Sequence, residues 1–154
     1  MLENGRVSTV NDRPVPPPAS ASVLVLTLAH RVEAELGAAL AGLNLTVARL
    51  ALLGHIASVP GISFSELARM GGISVQSVHT GVKAMVADGL VRDRTARAGS
   101  ASNIELTAKG GRLLRAAEAV VAEVDERLFG AAGDAVLRQI GAAVVAAYTG
   151  RNAS

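Results

Sequence analysis

Two helix-start signals, at Ser63 and Ser74, bracket the glycine pair Gly71-Gly72. Ser63-Phe64-Ser65-Glu66 has the Ser-x-x-Glu spacing in which a hydroxyl caps the third N–H and a carboxylate returns to the cap. Ile62 and Leu67 stand where a hydrophobic staple would close over that start. Gly71-Gly72 can take the left-handed conformation that ends a helix, and Ser74 can then cap again, with Ile73 and Val78 as its staple pair. Residues 63 to 88 therefore read as helix, tight glycine-containing turn, helix: the helix-turn-helix pattern.

The second of these helices has an unusual face. In "SVQSVHTGVK" (74–83) the apolar Val75, Val78 and Val82 fall at helical spacing. Among them lie Ser74, Gln76, Ser77, His79, Thr80 and Lys83, short polar groups with no acid. Such a face suits close approach to double-stranded DNA. Gln76 can bridge adenine N6 and N7, Ser77 and Thr80 can donate or accept, and His79 and Lys83 suit guanine acceptors or phosphates. The helix N-terminus adds free N–H groups and a positive dipole end. An ordinary solvated face whose serines merely cap is the alternative.

The flanking chain reads as further helices and one hairpin. Residues 1–19, with "RPVPPPAS", are expected to be a disordered Pro-rich arm. From about Ser22 to Leu43 an apolar stripe (Leu24, Val25, Leu28, Val32, Leu36, Leu40, Leu43) predicts a helix, and Val23 and Leu26 fall off it. Its first turns are thus apolar on more than one side, which implies burial against a partner. Thr46 can cap a second helix, with Leu50, Leu53 and Ile56 inward.

After "ADGL" (87–90), "LVRDR" (90–94) and "NIEL" (103–106) predict two short strands joined by the turn-like "TARAGSAS" (95–102). Thr107 then caps a long helix to about Phe129, and Asp134 caps a last one with Val136, Leu137, Ile140, Val144 and Tyr148 on its apolar face. The expected fold is mainly α with a small β-hairpin wing: a winged helix-turn-helix (46–107) flanked by dimerisation helices (20–45 and 108–150). Those flanking helices cannot all bury their apolar faces in one small domain, so two-fold pairing is the natural solution.

Charge agrees with a polyanionic partner. Residues 46–116 carry nine Lys/Arg against four acids, while the overall net charge is only +2. Arg94 and Arg97 would supply wing contacts, Arg97 best placed for a narrow minor groove. Arg69 is a candidate phosphate contact. Arg92 is a weaker one, since it could pair with a neighbouring acid. Solubilising charge on a two-stranded edge is the alternative for the hairpin.

The chain has no cysteine, which excludes disulfides, thiol nucleophiles and zinc–thiolate sites. Its three histidines lie on separate predicted elements, so no metal is expected. No nucleophile–base arrangement or phosphate-cradling glycine motif is present, so the expectation is no enzyme and no cofactor. The apolar run "VLVLTLA" (23–29) is far short of a membrane span and no leader precedes it, so a soluble, cytoplasmic protein is expected.

Laid out in this order, "FSELARMGGISVQSVHTGVKAMVADGLVRD" (64–93) and "IELTAKGGRLL" (104–114) resemble the MarR family of winged-helix transcription regulators. The resemblance covers about residues 20–148. It implies a homodimer with a recognition helix in the major groove and a wing in the minor groove, released from DNA by a small, often aromatic, anion. The implied effector pocket would have mainly aliphatic walls, with His30, Arg31 and His55 available to meet an anion.

There are departures from the family pattern. The wing tip lacks the family's Asp, Thr80 stands where an Arg is common, and Gly81 follows in mid-helix. They imply DNA binding that is weaker, differently specific, or dependent on ordering the wing. The expected function is a sequence-specific DNA-binding transcription regulator, a repressor released by a ligand. The alternative is a winged-helix dimer serving as a protein-interaction module.

Overall fold

The computed structural model describes residues 20–94 and 103–150. The Pro-rich arm and the wing tip, including Arg97, lie outside the described residues. Six helices and one hairpin follow in the expected order. Helix α1 (Ala21–Leu40) continues through a 3-10 turn, Ala41–Leu43, ended by Asn44 in the left-handed region (φ 52°). The chain then bends by 77° into α2 (Val47–Ser58), capped by Thr46 through the Arg49 N–H. Among the described residues no single helix is long and apolar enough to cross a membrane.

Local chemistry sets the next two helices. At α3 (Phe64–Gly71) the Ser63 Oγ accepts from the Glu66 N–H at 3.1 Å, and the Glu66 carboxylate accepts from the Ser63 N–H at 3.0 Å. These bonds to Ser63 hold the Glu66 carboxyl below its ordinary range, with a smaller contribution from Arg69. Gly72, at φ 62°, closes the helix, and the Ile73 N–H reaches back to the Ala68 carbonyl at 3.1 Å.

Helix α4 (Val75–Ala87) starts at Ser74, whose Oγ accepts from the Ser77 N–H at 3.1 Å. Across this second start the two residues of the expected staple pair are unequally covered. Val78 is fully buried, but Ile73 is 42% exposed. The turn's closing bond fixes the Ile73 backbone, and its side chain lies over Gly71, where an added Cβ would stand 3.5 Å from it.

Strands β1 (Val91–Asp93) and β2 (Ile104–Leu106) pair antiparallel, with Val91 opposite Leu106 and Arg92 opposite Glu105. Helix α5 (Ala108–Phe129) follows from Thr107, and α6 (Ala135–Thr149) from Asp134, which accepts from the Val136 and Leu137 N–H groups. The core gathers Leu40, Leu53, Ile62, Leu67, Val78, Met85 and Ile104, drawn from the winged region and the end of α1. Leu50, expected inside, is half-buried, and Leu52 takes a core place beside Leu53.

Helix α5 adds Leu114 and Ala117 to this core, but α6 and the start of α1 do not join it. Helix α6 buries no residue, and Val23, Leu24, Val25 and Leu26 of α1 are 54–64% exposed.

Two neighbouring glycines at the start of α5 face opposite surroundings. A Cβ on Gly110 would lie 2.0 Å from the Leu90 carbonyl oxygen, whereas one on Gly111 would meet only the end of the Arg115 side chain at 3.6 Å. Gly110→Ala should therefore lower the unfolding free energy by about 1–3 kcal/mol or more. Gly111→Ala should raise it by roughly 0.5–1 kcal/mol through helix propensity. Urea titration of the two variants beside the parent reads both signs.

Candidate nucleic-acid interface

Helix α4 has two unlike sides, although Val75, expected on the apolar one, is 42% exposed at the first turn. Val78, Val82 and Met85 are buried on one side, and Gln76, Thr80 and Lys83, at i, i+4 and i+7, are exposed on the other. The helix is held from three directions, by α3, α2 and β1. Gly81 explains how α4 comes so close to α2: a Cβ there would stand 2.8 Å from the Leu52 Cδ1. The mid-helix glycine is thus a packing residue, and what it costs in helix propensity is offset by the contact with α2.

The polar groups of the exposed face are not equally available. Ser74 and Ser77 hydroxyls stand 2.8 Å apart while Ser74 also caps the helix. The Thr80 hydroxyl donates to the Gln76 carbonyl at 3.1 Å. Each still has a lone pair to offer. The His79 ring stacks on Phe64 of α3, with centroids 4.0 Å apart and planes 14° from parallel. His79 is therefore braced against the first helix of the motif, with its outer edge toward solvent. The Gln76 amide and the Lys83 ammonium make no hydrogen bond or ion pair among the described residues.

Around this helix stand the other candidates. Arg69 lies exposed in the last turn of α3. Arg94 sits at the base of the wing, where its backbone N–H donates to the Asn103 carbonyl at 2.8 Å. Its guanidinium lies 3.8 Å from the Glu105 carboxylate, both about half exposed. An ion pair so open to water contributes little and leaves the Arg94 charge available. The stack of Phe64 on His79 and the ion pair of Arg49 with Asp88 are features that the sequence did not reveal. The one signal of the first was Phe64 being the single aromatic residue of the motif.

Two hollows lie on the side of the flanking helices. An open groove of about 1410 Å³ runs between α1, α5 and α6, lined by Val25, Leu28, Val32, Phe129, Ile140 and Val144 among others. A smaller cavity of about 350 Å³ lies between α2 and α5, walled by Leu50, Gly54, Leu114, Val121 and Ala122, with Glu118 and Asp125 at its edge. Its walls are mainly aliphatic. His30, Arg31 and His55 line neither hollow.

A helix-turn-helix continued by an antiparallel hairpin, with one polar helix face outward, defines a winged-helix protein of the nucleic-acid-binding class. Comparison with known proteins is consistent with this and narrower. The model of the MarR family matches residues 43–99. The HTH-type transcriptional repressor Rv2887 of Mycobacterium tuberculosis is 35% identical over 106 residues, covering 66% of this chain and 76% of the relative. The chain belongs to the MarR family.

Solved structures of Rv2887 superpose on it. The complex with DNA has a TM-score of 0.68 at 29% identity, covering 82% of this chain and 95% of the other. The complex with p-aminosalicylic acid has a TM-score of 0.67 at 27% identity, covering 85% and 99%. A more distant fold relative is CouR from Rhodococcus jostii, at 22% identity and a TM-score of 0.66, covering 81% and 89%.

The stacking of His79 on Phe64 has a direct spectroscopic consequence. The His79 ring protons should resonate upfield of ordinary values, and Phe64→Leu should return them. Proton NMR of the two proteins decides; unchanged shifts would place the ring elsewhere.

Proposed function

We propose that this chain is a homodimeric, sequence-specific transcription repressor that binds a pseudo-palindromic operator and is released from it by a small molecule. The observation that carries the reading is the exposed polar face of α4, with its free Gln76 amide and Lys83 ammonium, on a helix whose other side buries Val78, Val82 and Met85. Rv2887, crystallised with DNA and with salicylic acid, supports it.

In this reading residues 46–107 bind DNA. Gln76 reads base edges, Ser74, Ser77 and Thr80 add short hydrogen bonds, and His79 and Lys83 meet guanine acceptors or phosphates. Arg69 and Arg94 contact phosphates, and Arg97 enters the minor groove. Residues 20–45 and 108–150 pair with a second copy, whose own α1 and α6 would fill the groove lined by Val25, Leu28 and Val144. The α2–α5 cavity, with its Leu50 and Leu114 walls, takes the apolar ring of the effector, and the aromatic carboxylates crystallised with Rv2887 are the first class to try, their charge held away from Glu118 and Asp125 at the edge. The protein acts in the cytoplasm, and no membrane, cofactor or catalytic step enters the reading.

Lys83→Ala, Arg94→Ala and Arg97→Ala combined should abolish the mobility shift of a duplex selected from a random pool. Singly, each should flatten the slope of log K against log salt by about one for every phosphate it no longer neutralises. Retained regulation by the triple variant would transfer the function to a protein partner. Val144→Asp, in the middle of the groove, should give monomers in analytical ultracentrifugation. It should weaken operator binding by about a hundredfold or more, since the second half-site no longer binds in tandem.

A further inference from the structure

The basic residues of the winged region do not all point toward a polyanion. Arg49, on α2, reaches across to the end of α4, where its guanidinium Nη2 donates to the Asp88 carboxylate. The Arg49 side chain is only 26% exposed, and its Nε is buried without a partner. Asp88 ends α4: its own N–H bonds back to the Ala84 carbonyl, and its carbonyl accepts from the Lys109 ammonium at 2.8 Å. The end of α4 is thus gripped by α2 through a side chain and by α5 through the backbone.

Packing on α2, α3 and β1 holds the body of α4, and the ties at Asp88 fine-set its tilt from the far end. Helix α4 has 13 residues, about 20 Å at 1.5 Å per residue, so a swing of a few degrees at Asp88 displaces its first turn by about an ångström. Hydrogen bonds to base edges fail over displacements of that size. Lys109 and Thr107 restrain the end of α4 on the α5 side only, because both bond to the Asp88–Leu90 backbone from α5 or its cap. Among the described residues, the bond from Arg49 to Asp88 is the polar tie between this turn and α2.

We propose that Arg49 and Asp88 are positioning residues for DNA binding: their ion pair ties the end of α4 to α2 and so sets the angle at which Gln76 and Lys83 meet the duplex. The proposal rests on the DNA-binding reading above and adds to it a role for an acid. That acid makes the idea testable by sign. A carboxylate standing idle near a polyanion weakens binding, so its removal would strengthen binding or leave it unchanged. A carboxylate that aims the recognition helix does the opposite.

The experiment uses the full chain and two fluorescent duplexes, one selected from a random pool with the parent protein and one of scrambled sequence. Asp88→Ala should bind the selected duplex about tenfold more weakly, with the scrambled duplex bound at least as well as before. Arg49→Gln should match it, and the double variant should be no worse than either single one. The exchanged pair Arg49→Asp with Asp88→Arg should recover much of the affinity, which also covers the case in which a single variant folds poorly. Thermal unfolding should differ little among them, since the pair is partly exposed and its own stabilisation is small.

Undiminished or tighter binding of the selected duplex by Asp88→Ala overturns the positioning role, as does an additive effect in the double variant. A parent protein that selects no duplex at all overturns the DNA-binding reading, and this role falls with it.

Discussion

The Leu90 carbonyl has a glycine where any other residue would collide with it. A Cβ at position 110 would lie 2.0 Å from that oxygen, so α5 can begin where it does only because residue 110 has no side chain. Around this contact the Thr107 hydroxyl donates to the Gly89 carbonyl at 2.6 Å and accepts from the Gly110 N–H at 3.0 Å. The Thr107 N–H meanwhile donates to the Leu90 carbonyl at 3.0 Å. One short segment therefore ends α4, starts β1, closes the hairpin after β2 and launches α5. The winged region and the long flanking helix share a joint rather than a linker.

That joint shapes what the exposed face of α4 can offer. With its end fixed, the helix presents a defined row of side chains, yet the three hydroxyls on it are already partly engaged inside the molecule. His79 is braced by Phe64. The groups with most freedom are the Gln76 amide and the Lys83 ammonium, one suited to direction and the other to charge. A face built this way holds its geometry before any partner arrives, which lowers the ordering cost of association.

How much of this was legible in the sequence follows from the range of each interaction. The caps at Thr46, Ser63, Ser74, Thr107 and Asp134 all formed as read, because a cap is decided within three or four residues. The glycine turn at 72 and the two strands were equally local. Of the staple pair at the second start, Val78 is buried while Ile73 stays 42% exposed, a difference that spacing alone does not carry. The sequence left Gly81 without a reason, and its reason lies on another helix, at Leu52. Arg49 counted as one more basic residue until its partner, 39 positions away, came into view. The residues of the α4 face could be placed in advance, but their unequal freedom could not, since it depends on Phe64 and on hydroxyls bonding one another.

Helix α6 raises a different matter. It buries none of its residues, leans on Phe129 at Gly141, and joins the rest through Gly130 and Gly133. An isolated helix of its 15 residues is marginal in water, so its order is borrowed from whatever lies over its apolar side. A lone protomer thus has a gradient of protection, steep in the winged region and shallow at its C-terminal end. In an unpaired protomer amide hydrogens along α6 would exchange long before those of Val78 or Met85, so the slowing of that exchange is a gauge of assembly that needs no label and disturbs nothing.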